Sequence, residues 1–276
     1  MTAAQQTSTH EIDIQGEVVT KRYRSWDRRE PHREWAALTL LAEHAPGLSP
    51  APISADLDGT PPTVTMSRLP GTPLRGLHAN PHVVEAMAAT LTHLHRDVPA
   101  GEELAYAAWN PDAALALVQS RAAAKPDLGD DPEVRRAFAE GVSWLAAAGR
   151  TSDRLRAGAT PPVLGLADGN LANYLWDPET ARVRLLDWED SGRADRAFEL
   201  AEVAEHISHV DGDLDSDLLV DLLVPEPAEK ARVREFRRLL ALGWLLILGP
   251  GGPSATRNPP GTLERQAGRV LALLDS

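Results

Sequence analysis

Apolar and polar positions alternate with a period of two near the start of the chain and with a helical period over most of the rest. Ile12 and Ile14 are separated by polar residues, Gln15-Gly16 supplies a turn, and Val18-Val19 open a second run that carries Lys21. That pattern predicts a β-hairpin. From Arg33 the period changes: Glu34, Leu38 and Leu41 recur at i, i+4 and i+7, which predicts a helix ending before the prolines of H-A-P-G-L-S-P-A-P. Val64 and Met66 alternate with threonines and predict a further strand, closed by M-S-R-L-P-G. Beyond about residue 70, helices dominate. Asn80-Pro81, Asn110-Pro111 and Asp131-Pro132 each set a capping side chain before a proline, the signature of a helix start. Apolar stripes follow: Val84, Met87, Leu91 and Leu94; then Val134, Phe138, Val142 and Leu145; then Leu200, Val203, Ala204, Ile207 and Val210. Ala228 to Leu248 and Thr262 to Leu274 are also helical in pattern.

One stretch interrupts these helices. Between Pro162 and Glu189, three short apolar runs (V-L-G-L, Y-L-W and R-V-R-L-L) are bounded by Gly, Asn, Asp and Pro. They read as short strands joined by tight connections. Polar groups stand where strands end: Asp168 with Asn173 five residues on, and Asp187 directly after Leu185-Leu186. Two carboxylates and a carboxamide delivered by neighbouring strands can converge on one point. Their oxygens suit Mg²⁺, which takes carboxylates together with substrate phosphates. One carboxylate can remain free to accept a proton from an attacking hydroxyl, as phosphoryl transfer requires.

The spacing D-x-x-x-x-N, with D-W-E beginning 19 residues after the first Asp, resembles the catalytic core of the aminoglycoside phosphotransferase family. That family is the small-molecule branch of the protein-kinase-like fold. The resemblance implies an α+β, two-lobed architecture: a small N-terminal β-sheet lobe with one helix over residues 1–68, and a larger, mainly helical lobe over 69–276. It implies an ATP- and Mg²⁺-dependent kinase acting on a hydroxyl of a small molecule. Asp168 would be the catalytic base, and Asn173 and Asp187 the metal ligands. Lys21 would hold the nucleotide phosphates and be oriented by Glu34, 13 residues later. Main-chain groups of Met66, Ser67, Arg68 and Leu69 would bind the adenine. Glu199, in Glu199-Leu200-Ala201, would brace the catalytic loop, and Glu189 would add an acidic group near the metals.

Three departures accompany the resemblance. Leu166 stands where the family has the histidine that braces the loop. No glycine-rich loop precedes Lys21, so phosphate cover would fall to Ala3 to Thr9, with hydroxyls from Thr7, Ser8 and Thr9. Asp187-Trp188-Glu189 replaces D-F-G. These motivate a rival reading, a catalytically impaired nucleotide-binding or scaffold protein of the same fold. Two further motifs are set aside. His95-Arg96-Asp97 spells a kinase-like H-R-D but ends a helix, and the aspartate-rich run His209 to Asp217 lacks the Gly and Glu of a calcium loop.

Composition narrows the picture. With 276 residues, 43% of them hydrophobic and 25% charged, the chain has the balance of an ordinary globular protein. It has no cysteine, which excludes disulfides and thiolate zinc sites. The net charge of −12 argues against nucleic acid as a partner and suits a cationic small-molecule acceptor. The first residues lack a basic n-region and an apolar h-region, and the run Leu239 to Leu248 is too short for a bilayer of ~30 Å, so neither export nor a membrane is expected and a cytoplasmic location follows. The only lysines are Lys21, Lys125 and Lys230, in a chain that otherwise uses arginine. A lysine at a motif position is therefore the more informative.

Overall fold

The structure is a computed structural model. It describes residues 10–147, 155, 160–250, 252, 254 and 258–276, with Asp211 described by its backbone only. The N-terminal part is a four-stranded antiparallel sheet: β1 (Glu11–Gln15), β2 (Val18–Arg22), β3 (Pro52–Asp56) and β4 (Thr63–Ser67), in the order β1-β2-β4-β3. The hairpin of β1 and β2 turns at Gly16, whose φ of 60° is a left-handed conformation that glycine adopts without cost. β3 is absent from the sequence reading, which took its prolines as loop. It is an edge strand with Pro52 as its first residue, a position where a missing N–H breaks no ladder bond.

Helix α1 (Glu30–His44) packs on this sheet and buries Ala37, Leu38 and Leu41 beside Val64 and Met66. It begins earlier than the expected Arg33. Pro31 lies in the first turn, where its fixed φ suits the helix and its missing N–H is not needed. Glu34 is thereby one full turn inside the helix and buried at 1% exposure.

The larger part is helical. α2 (Pro81–Asp97), α3 (Pro111–Ala123) and α4 (Pro132–Ala146) each start at the predicted cap, with Asn80, Asn110 and Asp131 accepting N–H groups of the first turn. α5 (Arg196–Glu205), α6 (Ser216–Leu223), α7 (Pro227–Leu248) and α8 (Thr262–Asp275) complete the set among the described residues. α5 is the central one: every residue from Ala197 to Glu205 is buried. Phe198 meets Phe236 of α7 edge to face at 5.3 Å. Fully burying such a ring stabilises by about 1.5–3 kcal/mol. The predicted stripe ran on to Val210, but α5 stops at Glu205, and His206 takes an extended conformation before a 3₁₀ turn over Ile207–Asp211. No helix among the described residues is long and apolar enough to cross a membrane.

Two small sheets lie between the parts. β6 (Val163–Gly165) pairs with β9 (Gly192–Ala194), and β5 (Thr72–Pro73), β7 (Tyr174–Asp177) and β8 (Arg182–Leu185) form the other, in that order. β6, β7 and β8 are the three short runs expected between Pro162 and Glu189. The β7–β8 hairpin is fastened to the end of α1: Leu185 N–H donates to Leu48 O at 2.9 Å, and Trp188 Nε1 donates to Ser49 Oγ at 2.6 Å. Thr90 of α2 supports it from behind through Val183 O.

Candidate active site

Two groups of side chains meet where the N-terminal sheet adjoins the loops around the β7–β8 hairpin. The first is centred on Lys21 Nζ, which lies 2.8 Å from Glu34 Oε2, 2.5 Å from Asp187 Oδ1 and 2.6 Å from Glu189 Oε2. β2 delivers the lysine, α1 Glu34, and the loop after β8 both other carboxylates. Tyr23 OH also donates to Glu34. His10 Nδ1 accepts the Arg24 N–H at 3.1 Å, so the ring carries its proton on Nε2 and donates to Glu189 at 2.8 Å. Asp187 has a φ of 65°, a left-handed conformation that Asp tolerates better than most residues, and it turns the chain sharply after Leu186.

Charge in this group does not balance. The carboxylate oxygens of Glu34, Asp187 and Glu189 lie within 4.8 Å of one another, and a single ammonium stands among them. Burial drives the Asp187 carboxyl above its usual range, against the pull of Lys21. Burial acts on Glu189 in the same sense, but the His10 hydrogen bond and the Lys21 charge outweigh it and hold that group low. Burial of Lys21 opposes its charge, and the surrounding anions more than compensate, so the ammonium stays protonated.

The second group is the loop from Leu166 to Asn173. Asn173 Nδ2 donates to Asp168 Oδ2 at 2.9 Å, and Asn170 N–H to Asp168 Oδ1, also at 2.9 Å. Leu186 N–H donates to Asn173 O at 2.8 Å, which sets Asn173 and Asp187 side by side at one end of the β7–β8 hairpin. Beneath the loop runs α5. Glu199 accepts the Ala167 N–H at 3.2 Å, and burial raises its carboxyl to about 7. One turn on, Glu202 accepts Trp109 Nε1 at 3.1 Å, and burial raises it to about 8. Gly169 rests directly on α5: a Cβ there would lie 2.3 Å from Glu202 O. Ala167, with a φ of 60°, bends the chain so that Asp168 leaves the loop toward the cleft.

Asp168, Asn173 and Asp187, picked out by spacing, and Lys21, Glu34, Glu189 and Glu199, picked out by the family resemblance, thus lie in these two groups. The segment Met66 to Leu69 is used differently. Ser67 N–H donates to Ala51 O and Arg68 N–H to Glu17 O, so both amides belong to the sheet, and the Met66 side chain is buried in the core. Ala3 to Thr9 lie outside the described residues. Leu166 is 3% exposed and belongs to the apolar core. His10, Tyr23, Trp109, Glu202 and His206 were missed by the sequence reading, because single residues without a motif carry no signal until the fold gathers them. The aspartate-rich run resolves into structural roles: Asp215 caps α6, and Asp217 pairs with Arg237. Arg96 and Asp97 pair with each other on the surface at the end of α2.

The donor set fits a hard divalent cation. Lys21 already occupies the space among Glu34, Asp187 and Glu189, so an ion belongs on the other side of Asp187, whose side chain is 37% exposed. There Asn173 Oδ1 is the acceptor left by its Nδ2 contact with Asp168. Both are oxygen ligands of the kind Mg²⁺ prefers, and a dication offsets the excess of negative charge.

Similar folds occur among known proteins. The fold is similar to that of a choline/ethanolamine kinase family protein from Mesorhizobium loti, with 16% identity and a TM-score of 0.65 over 98% of this chain and 87% of that one. It is similar to aminoglycoside phosphotransferase APH(4)-Ia, with 14% identity and a TM-score of 0.62 over 99% and 92%. It is also similar to spectinomycin phosphotransferase APH(9)-Ia, solved with ADP and spectinomycin, with 12% identity and a TM-score of 0.58 over 100% and 90%. At such identities the likeness is one of fold, here the two-part kinase-like fold. No curated protein matches the chain in sequence. The family model described as the phosphotransferase enzyme family matches residues 8–236, which includes every side chain of the two groups, and the chain belongs to that family.

Proposed function

We propose that the chain is an ATP- and Mg²⁺-dependent kinase that phosphorylates a hydroxyl of a small molecule, with the nucleotide held between lobes of residues 1–68 and 69–276. The observation that carries this reading is the juxtaposition of Asp168, Asn173 and Asp187 at adjacent strand ends, facing a lysine fixed by three carboxylates. Asp168 is the base. Its carboxylate takes the acceptor's proton as that oxygen bonds to the γ-phosphorus and the bond to the β–γ bridging oxygen breaks. Lys21 moves from its carboxylates onto the nucleotide phosphates, and Glu34 keeps it aimed. Asn173 and Asp187 hold Mg²⁺, which supplies neutralising charge when bound. Leu69 and the neighbouring carbonyls are the backbone groups for the adenine, since the amides of Ser67 and Arg68 are engaged. Glu189 tunes the Lys21 end, and Glu199 holds the loop.

The net charge of −12 favours an acceptor carrying amines, such as an aminoglycoside-like antibiotic or an amino alcohol. The test is ADP release with ATP and Mg²⁺ across a panel of aminoglycosides, other antibiotics, amino alcohols and sugars. At least one acceptor should stimulate release, and Asp168→Ala should lower that stimulated rate by about 10²–10⁴-fold while melting as the parent does. Undiminished turnover in Asp168→Ala removes the assignment of the base. Nucleotide binding with no turnover on any acceptor favours the scaffold reading instead.

A further inference from the structure

The position two residues before Asp168 holds a buried leucine, yet an imidazole does approach Asp168, from the end of α5. His206 Nε2 lies 3.7 Å from Asp168 Oδ1. His206 is the residue at which α5 ends, and its extended backbone turns the ring back toward the loop. The ring plane is set by Trp244 of α7, edge to face at 4.9 Å. Its Cβ also touches the place that any side chain on Gly169 would fill, at 3.0 Å.

The protonation of the ring follows from its other nitrogen. Ser208 Oγ, in a residue that is 0% exposed, accepts the Leu171 N–H at 2.9 Å. Its own hydroxyl proton is then available to His206 Nδ1, 2.9 Å away, and Ser208 N–H points at the same nitrogen at 3.1 Å. Two donors converge on Nδ1, so Nδ1 is the acceptor and Nε2 carries the hydrogen. Burial, with His209 and Arg75 nearby, lowers this imidazole to about 3, so it stays neutral at physiological pH. The hydrogen on Nε2 therefore faces the second oxygen of Asp168, while Asn173 holds the first.

We propose that His206 is the positioning residue of Asp168, and that Leu171 N–H, Ser208 Oγ and the His206 ring form a clasp that orients the carboxylate toward the acceptor. The clasp closes on itself: it starts at Leu171 in the catalytic loop, passes through the 3₁₀ turn after α5, and returns to the loop at Asp168. The functional part of this inference rests on Asp168 being the base of the proposed reaction, while the contact itself does not.

The two parts separate in one experiment. In ¹⁵N-labelled protein, the His206 ring should show a protonated Nε2 and an unprotonated Nδ1, and the Nε2–H resonance should shift in Asp168→Ala. A ring protonated on Nδ1, or an unshifted resonance, overturns the clasp whatever the enzyme does. Kinetics then test its role. His206→Gln, whose amide nitrogen can stand in for Nε2–H, should keep kcat within about threefold of the parent. His206→Leu should lose about 10-fold or more in kcat with the KM for ATP unchanged. Should His206→Leu fail to fold, Ser208→Ala serves in its place: it frees the ring and should lower kcat several-fold with the KM for ATP unchanged. Equal kcat in the parent, Gln and Leu variants, or an equal loss in Gln and Leu, overturns the positioning role.

Discussion

Buried carboxylates are handled in opposite ways at the two ends of this cleft. Around Lys21, three of them crowd one ammonium, and the group keeps an excess of negative charge. Beneath Asp168, Glu199 and Glu202 are more deeply buried than Asp187 and Glu189, accept N–H groups of Ala167 and Trp109, and burial pushes them up to about 7 and about 8. The difference is instructive. An ionic group can exchange partners, so it can release its lysine to phosphates and take up a cation. A largely neutral group adds little repulsion toward an anion, and its directional hydrogen bonds fix geometry. The first end is built to respond and the second to hold still.

The contrast breaks most severely at Lys21. Lys21→Met removes the buried cation among three carboxylates, of which Glu34 is buried and Asp187 and Glu189 are partly so, and leaving them uncompensated should cost about 2–4 kcal/mol in urea unfolding at neutral pH. Added Mg²⁺ should restore part of that loss; full parental stability in metal-free Lys21→Met would show that the group is not ionic. Glu202 sharpens the other side. Its carboxyl rises from 4.5 to about 8 on folding, so the folded state keeps a proton that the unfolded chain releases. Stability should therefore fall as pH rises from about 4.5 to about 8, and level off above. Glu202→Gln should flatten that slope and gain about 2–4 kcal/mol at pH 8. An unchanged pH profile would mean that Glu202 is ionised. The smallest effect is expected at Gly169. Gly169→Ala drives a methyl into Glu202 O and should cost about 1–3 kcal/mol, with a larger proportional loss in kcat than in nucleotide affinity.

Much of this was readable in advance, for reasons that differ by element. The β1–β2 hairpin, the capped starts of α2, α3 and α4, and the short strands around Asp168 and Asp187 rest on local rules of period, capping and turn chemistry. The misreadings also have local causes. β3 hides behind Pro52 because prolines usually mark loops, and only its place at the sheet edge makes it a strand. α1 begins three residues early because Pro31 is as good a first-turn residue as a loop residue. α5 ends before its apolar stripe does, since Ile207 and Val210 serve a 3₁₀ turn with similar spacing. At Met66 to Leu69 the sequence could not show which amides the sheet uses, and the Ser67 and Arg68 N–H groups pair with Ala51 O and Glu17 O.

The sequence by itself determined the candidate groups and their order: Asp168, Asn173 and Asp187 through their spacing along short strands, and Lys21, Glu34, Glu189 and Glu199 through the family resemblance. Tertiary structure decided what surrounds them. Only packing brings His10 to Glu189, Trp109 to Glu202 and His206 to Asp168, across separations of more than thirty residues in each case. The physical reason is that hydrogen bonds and burial act over a few ångströms in space. A residue's role in them is set by its neighbours in the fold, and those neighbours leave no periodic trace along the chain.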